Sequence, residues 1–323
     1  MGNLSNTGAG RASDRSPVRH LTVSSEQAGQ RLDNFLLREL KGLPRSRLYR
    51  LVRKGEVRVN LGRVDVGYRL QAGDAIRIPP MRLDVSHGET PPVHIEPGEV
   101  LFEDPHLLVL DKPSGLPVHK GTGVRAGVIE ALRSRRPDLP FLELVHRLDR
   151  DTSGCLVLAK SRTALTALHV ALRREGGARI AKYYAALVKG ELEPGPVRVR
   201  AGLRKNSVQG GERMVIVTDD GDSADSVFRL EKPGRVCSLV EIELLTGRTH
   251  QARVHAWHIG HPIAGDRKYG DRDFNKLARN AGLKRLALHA HRLELTHPVT
   301  GGTCVFEAPL PEVFEATFHA LTS

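Results

Sequence analysis

Cysteine is scarce in this chain. Across 323 residues there are three, Cys155, Cys237 and Cys304, too few and too scattered for a disulfide framework or a thiolate metal site. Each lies among apolar neighbours and reads as a small core hydrophobe. No run approaches the ~18 consecutive apolar residues of a membrane span. Met1 to His20 is rich in Gly, Ser, Asn and Arg and lacks the apolar segment of a secretory signal. Its Met1-Gly2-Asn3 opening is followed by Asn6, where a myristoylation signal has Ser or Thr. A P-loop and a well-placed dinucleotide fingerprint are also missing, since Gly121-Thr122-Gly123 is too short a glycine element to count. These absences point to a soluble, cytoplasmic protein.

What is present is apolar mass and positive charge. Hydrophobic residues make up 40% of the chain, enough for a packed core, and the length suits about two domains. The net charge is +12, the footprint expected of a protein that meets a polyanion. Its distribution is uneven. Residues 24–80 hold 12 Lys and Arg against 6 Asp and Glu, so this short stretch carries half of the excess.

Along that stretch, Arg31 to Leu40 is predicted to be a helix with Leu32, Phe35, Leu36 and Leu40 on one stripe. Pro44 and Ser46 open a second, in which Leu48, Leu51 and Val52 face inward and Gly55 ends the run. Its outer side carries Arg47, Arg50 and Lys54 at spacings of three and four, with Arg45 and Arg53 beside them. Val57 to Val59 reads as a strand turned by Asn60-Leu61-Gly62, with further strands at Tyr68–Leu70 and Ala75–Ile78. From Arg31-Leu32-Asp33 to Gly55-Glu56-Val57-Arg58-Val59-Asn60, this unit resembles the S4 RNA-binding domain. Arg45, Arg47, Arg50, Arg53 and Lys54 are its candidate phosphate contacts. Few aromatics interleave with the charges, so it should grip backbone and shape rather than stack bases. A tail is expected at 1–20, the small domain at 21–80, a proline-bearing linker at 81–98 and a second domain at 99–315. The second domain shows strand-like runs at Leu107–Leu110, Leu156–Ala159, Tyr184–Val188, Leu239–Leu245 and Ala287–Leu295. An amphipathic helix is expected over Arg162–Arg174, stopped by Gly176-Gly177.

The segment richest in chemistry is His146-Arg147-Leu148-Asp149-Arg150-Asp151-Thr152-Ser153-Gly154, a charged loop leading into the apolar strand. Thr152 and Ser153 are placed to hold it by local hydrogen bonds. A His146–Asp149–Ser153 triad is one reading, but nothing puts the serine on a nucleophile elbow. A glycosidase pair, Asp149 with Asp151, is another. Residues so close in one loop do not flank a sugar from two sides. His250, His255, His258 and His261 hint at a metal, yet they bring no carboxylate or thiolate with them.

The third reading of the loop is a resemblance. His146-Arg147-Leu148-Asp149 with Thr152-Ser153-Gly154 is similar to the catalytic motif of the RluA-type pseudouridine synthases. Lys182-Tyr183-Tyr184-Ala185-Ala186-Leu187-Val188-Lys189-Gly190 resembles the family's tyrosine-bearing strand. Leu245-Thr246-Gly247-Arg248-Thr249-His250-Gln251 with Arg253-Val254-His255 resembles its arginine motif. The resemblance runs from about Val23 to Pro311 and is nearest the RluC subgroup.

The resemblance implies an α+β fold, with a mixed, largely antiparallel sheet in the second domain. It implies isomerisation of uridine to pseudouridine in large-subunit (23S) ribosomal RNA by a monomer, without metal or cofactor. Asp149 would be the catalytic carboxylate, attacking C1′ or C6 or deprotonating C2′. A carboxylate in a dry site must stay ionised, which burial opposes, and Arg248 would supply the opposing charge. Tyr184 would stack on the uracil, and Arg147 would fill the space of the flipped base or hold adjacent phosphates. A sister enzyme acting on transfer RNA or another rRNA loop, and a non-catalytic RNA-binding or assembly factor, are the alternatives.

Overall fold

The computed structural model describes residues 17–40, 43–81, 95–120, 126–173, 179–207 and 213–323. Most of the expected tail and linker, the Gly121-Thr122-Gly123 element and the Gly176-Gly177 stop lie outside these. The chain divides into two units, 1–92 and 93–323.

In the first unit, β1 (Arg19–Thr22), α1 (Leu32–Glu39), α2 (Arg45–Arg53), β2 (Arg58–Val59) and β3 (Ala75–Ile78) follow in order. The strands pair antiparallel as β1-β3-β2. Leu32, Phe35 and Leu36 of α1 and Leu48 and Val52 of α2 are buried together with Val57 and Ile76, as the helical spacing requires. Two details differ from expectation. β1 lies where the tail was expected to end. Tyr68–Leu70 makes only an isolated bridge, Arg31 with Arg69, in place of a strand. Its neighbourhood serves the start of α1 instead: Leu32 N donates to Tyr68 O at 2.8 Å and Asp33 N to Val66 O at 3.1 Å. Helix-start N–H groups have no partner within the helix, and this segment supplies one.

The second unit contains β4 (Glu99–Glu103), β5 (Leu107–Lys112), α3 (Val128–Arg135), β6 (Glu143–Leu144), β7 (Ser153–Ala159), α4 (Arg162–Leu172) and β8 (Ile180–Lys189). β9 (Val197–Ser207), β10 (Arg213–Val217), β11 (Asp222–Lys232), β12 (Cys237–Leu244), α5 (Gln251–His258), α6 (Arg272–Asn280), β13 (Leu288–Thr296), β14 (Thr303–Glu307) and α7 (Glu312–Thr322) complete it. Among the described residues, eleven strands form one sheet in the order β10-β9-β11-β12-β8-β13-β7-β5-β4, with β14 on β13 and β6 on β7. The pairings are antiparallel except for β13 with β7, where His289 faces Ser153 and Ala290 faces Gly154. The class is α+β with a mixed, mainly antiparallel sheet.

Near its middle the sheet is covered on both faces. Leu108, Leu110, Leu156 and Leu158 belong to one core, and Leu107, Val109, Cys155 and Val157 to another. Alternation along each strand separates the two sets, which is why β5 and β7 read as unbroken apolar runs. Gly154 has φ +107° and packs against the Ala290 backbone, where an added Cβ would collide. Only glycine lets β7 join β13 directly after the charged loop.

Two buried histidines give the second unit an acid sensitivity. His255 and His289 are 0% and 1% exposed, and burial pushes each from an ordinary 6.5 down to about 4. Below pH 6.5 the unfolded chain takes up protons that the folded chain refuses until about pH 4. Stability therefore falls as pH drops through this window. At pH 5 each group costs about 2 kcal/mol. Urea titrations at pH 7 and pH 5 should show the folded state weaker at the lower pH by about 4 kcal/mol from these two groups, with His146, which burial also pushes down, adding to the loss. Unchanged unfolding free energy would contradict this.

Candidate active site

The charged loop between β6 and β7 is strapped down from below. Lys112, at the end of β5, is fully buried, and its Nζ donates to Pro113 O and Leu116 O at 2.8 Å and to Arg150 O at 3.1 Å. Ser114 Oγ donates to Asp151 O at 2.6 Å, and Arg150 Nε to Gly115 O at 3.0 Å. Burial pushes Lys112 down to about 7, with Arg285 adding to that, while three carbonyl oxygens call for all three N–H groups of the charged form. Lys112 went unread in the sequence. Its one signal was a lysine closing a buried apolar strand. Lys112→Met leaves three carbonyls without their donor, and the folded state should lose about 3 kcal/mol. Chemical denaturation measures this, and an unchanged midpoint and slope would contradict it.

Thr152 N donates to Asp149 O at 3.2 Å, so the local tie is made by the backbone and not by the hydroxyl as expected. Ser153 does not follow the local pattern. Its Oγ lies 2.7 Å from His289 Nδ1 and accepts from Arg285, reaching across the sheet. His146 Nε2 accepts from Val157 N at 3.1 Å, and burial pushes it down to about 3. With His146 and Ser153 engaged elsewhere, no triad forms around Asp149.

Above the loop lies a cavity of about 330 Å³, whose lining includes Arg147, Asp149, Tyr184, Arg248, His250 and Arg253. The volume suits a small ligand such as a nucleobase. Tyr184, on β8, is 7% exposed, and burial raises its pKa well above the usual phenol value, with the Asp149 charge adding to this. Its hydroxyl therefore stays protonated. Arg147 and Arg248 are exposed at the rim.

The charge opposite Asp149 comes from a different arginine than expected. Arg248 directs Nε to Ser223 O at 3.1 Å and Nη1 towards Asp222 Oδ2 at 3.8 Å, and its side chain is 45% exposed. Arg253 holds the inner position, with Nη1 3.4 Å from Asp149 Oδ2. The reason is where the helix begins. α5 starts at Gln251, so Arg248 stays in the preceding loop, while Arg253 lies in the first turn and is directed into the core. Gln251 fixes that loop. Its Oε1 accepts from Arg248 N at 2.9 Å and Thr246 Oγ1 at 2.7 Å, and its Nε2 donates to Asp225 O and Ser226 Oγ at 2.9 Å.

Arg253 is itself clamped. Nε and Nη2 bond both oxygens of Asp266 at 2.7 and 2.8 Å, in the bidentate geometry that favours arginine. Asp266 is 2% exposed, and its charge is held by Arg253 and by Lys268 N and Tyr269 N, which lower its pKa against the cost of burial. The guanidinium also lies 5.1 Å from the Tyr269 ring centroid. Asp266 and Tyr269 were not foreseen, because nothing local ties residues 266–269 to position 149.

The four histidines of this region turn to separate partners. His250 meets Tyr269, His255 meets Ser226, His261 meets Lys189 O, and His258 is exposed. Among the described residues, no three His, Cys, Asp or Glu side chains come together as a metal site. Nor does any helix there have the length and apolarity to cross a membrane.

Residues 106–258 match the family model for RNA pseudouridylate synthase, and residues 30–76 match the S4 domain. The ribosomal large subunit pseudouridine synthase C of Pasteurella multocida (strain Pm70) is 50% identical over 311 residues, covering 94% of each chain. That of Escherichia coli (strain K12) is 48% identical over 302 residues, 91% of this chain and 94% of its own. Among solved structures, human RNA pseudouridylate synthase domain containing 4 superposes with a TM-score of 0.54 at 26% identity. It covers 69% of this chain and 92% of its own. With such identity over nearly its whole length, the chain belongs to the RNA pseudouridylate synthase family. It is an isomerase with an S4 domain at its N-terminal end, and it binds RNA.

Proposed function

We propose that this protein converts uridines of large-subunit ribosomal RNA to pseudouridine, with Asp149 as the catalytic carboxylate. The observation that carries this is the meeting of Asp149, Tyr184 and Arg253 in one cavity with room for a nucleobase. In the reaction N1–C1′ breaks, the base turns, and C5–C1′ forms. C5 gives up a proton and N1 gains one, so product and substrate are isomers.

Asp149 stands in the cavity as the carboxylate this exchange needs, with the Arg253 guanidinium 3.4 Å from its Oδ2. The Tyr184 ring offers an apolar wall for the base, and its hydroxyl, kept protonated by burial, can donate a hydrogen bond. The exposed guanidiniums of Arg147 and Arg248 suit phosphates beside the flipped nucleotide, with Arg147 placed to enter the gap it leaves. In the S4 unit, Arg50, Arg53 and Lys54 are exposed and free to grip phosphate. Arg45 also stacks 5.5 Å over the Tyr49 ring and lies 3.8 Å from Asp33, and Arg47 is half-buried, so both have less to offer RNA. The protein is proposed to work as a monomer, in the cytoplasm where ribosomal RNA is found.

Pseudouridine mapping of total RNA from a strain lacking the gene is the test. One or more large-subunit positions should revert to uridine, and the wild-type gene should restore them. Loss confined to transfer RNA, or no loss at all, would overturn the proposal.

A further inference from the structure

His250 has an unusual backbone and an unusual pair of neighbours. It precedes α5 with φ 56° and ψ 17°, the left-handed region, where N-cap residues are normally extended. Non-glycine residues rarely hold this conformation unless their surroundings impose it, and such positions gather at functional sites. Here the Gln251 side chain binds the loop at Thr246 and Arg248 and turns the chain through His250. The imidazole is thereby set between Tyr269 and Asp149. Nδ1 lies 2.8 Å from Tyr269 Oη, and Nε2 lies 3.8 Å from Asp149 Oδ2.

The proton positions follow from the hydrogen-bond network. Tyr269 is 5% exposed, and its Oη already accepts from Val215 N at 2.8 Å. Its own hydrogen needs an acceptor, and His250 Nδ1 is the one at hand. Were Nδ1 protonated, a buried phenol hydrogen would be left unpaired, at a cost the network avoids. Nδ1 is therefore the acceptor, and in the neutral ring the proton sits on Nε2, facing the carboxylate. Burial pushes the His250 pKa down. Asp149 and Asp266 oppose that shift, and Arg253 and Lys268 add to it.

We infer that His250 is a positioning residue for the reaction: its Nε2–H, set by Tyr269, works with Arg253 to hold Oδ2 of Asp149 and leave Oδ1 to face the substrate. Both contacts to the carboxylate fall on Oδ2, at 3.4 Å from Arg253 and 3.8 Å from His250. Two donors closing on one oxygen would fix the rotation of the carboxyl group. The 3.8 Å separation exceeds hydrogen-bond length, and catalytic contacts commonly tighten when substrate enters. This inference rests on the reading of Asp149 as the catalytic carboxylate.

Two amides separate the parts of the ring. Asn places its amide near the position of Nδ1, accepts left-handed φ, and cannot reach Asp149. Gln places its amide near Nε2 and can donate to the carboxylate. The full chain is assayed on transcribed large-subunit ribosomal RNA, with Asp149→Asn in parallel. His250→Asn should lower kcat about 10- to 100-fold with KM within about threefold, and His250→Gln should recover most of that loss. Tyr269→Phe, which removes the hydroxyl that sets the tautomer and also leaves Val215 N without its acceptor, should lower kcat about tenfold with a lower melting temperature. Wild-type kcat in His250→Asn or Tyr269→Phe, or a His250→Gln variant no better than His250→Asn, would overturn the inference. Turnover by Asp149→Asn would instead remove the reading beneath it.

Discussion

Asp149→Asn should abolish pseudouridine formation, lowering turnover by about 10⁴-fold or more while RNA affinity stays within a few-fold. The exchange keeps the shape of the side chain and removes its charge. Arg253 retains its two bonds to Asp266 at 2.7 and 2.8 Å, so the clamp beneath the site survives. The loop also keeps its backbone ties, Lys112 to Arg150 O and Ser114 to Asp151 O, because neither involves the substituted carboxyl. What disappears is one oxygen of the carboxylate proposed to act at the sugar–base junction. A single-turnover assay on transcribed large-subunit RNA, paired with a binding titration, separates chemistry from affinity. Turnover near that of wild type would show that the carboxylate is not the reacting group.

The candidate site residues were legible where charge pattern and sequence neighbourhood coincide. Asp149 sits in a loop whose charge density against an apolar strand marks it without any structure, and Tyr184 lies in a strand with its own family pattern. Helices α1, α2 and α4 showed themselves by their apolar spacing. Strands β9 to β11 gave no such signal. Residues of β9 and β11 are half exposed and charged along much of their length, as in Arg198 and Arg200, which both pair with Asp225 across the sheet, and β10 is only five residues long. What holds them is backbone pairing with neighbours distant in sequence, and side-chain periodicity does not report it. The same limit hid Asp266 and Tyr269. Their partners, Arg253 and His250, lie more than a helical turn away along the chain, and only the fold brings the four together above Asp149.

The two arginines of the 245–255 motif should differ sharply on substitution. Arg253 is 8% exposed and joins two carboxylates, Asp149 and Asp266, whereas Arg248 is 45% exposed and bonds Ser223 O at the start of β11. Arg253→Ala would leave Asp266 buried without its partner, a change that costs about 3–5 kcal/mol and confuses folding with chemistry. Arg253→Lys is the cleaner variant. A lysine can meet one carboxylate as a point charge but cannot serve Asp266 with two bonds and Asp149 with a third. It should lower kcat by about 100-fold or more, as the loss of one preorganised donor does in other active sites. Arg248→Ala removes a rim cation that touches neither Asp149 nor Arg253. Its kcat should stay within about tenfold of wild type, with the larger effect on KM and on the salt dependence of RNA binding. The measurement is kcat and KM for both variants at two salt concentrations, beside their melting temperatures. If Arg248→Ala loses kcat as severely as Arg253→Lys, then Arg248 moves to the carboxylate during the reaction, and the pairing seen here is not the one that supports turnover.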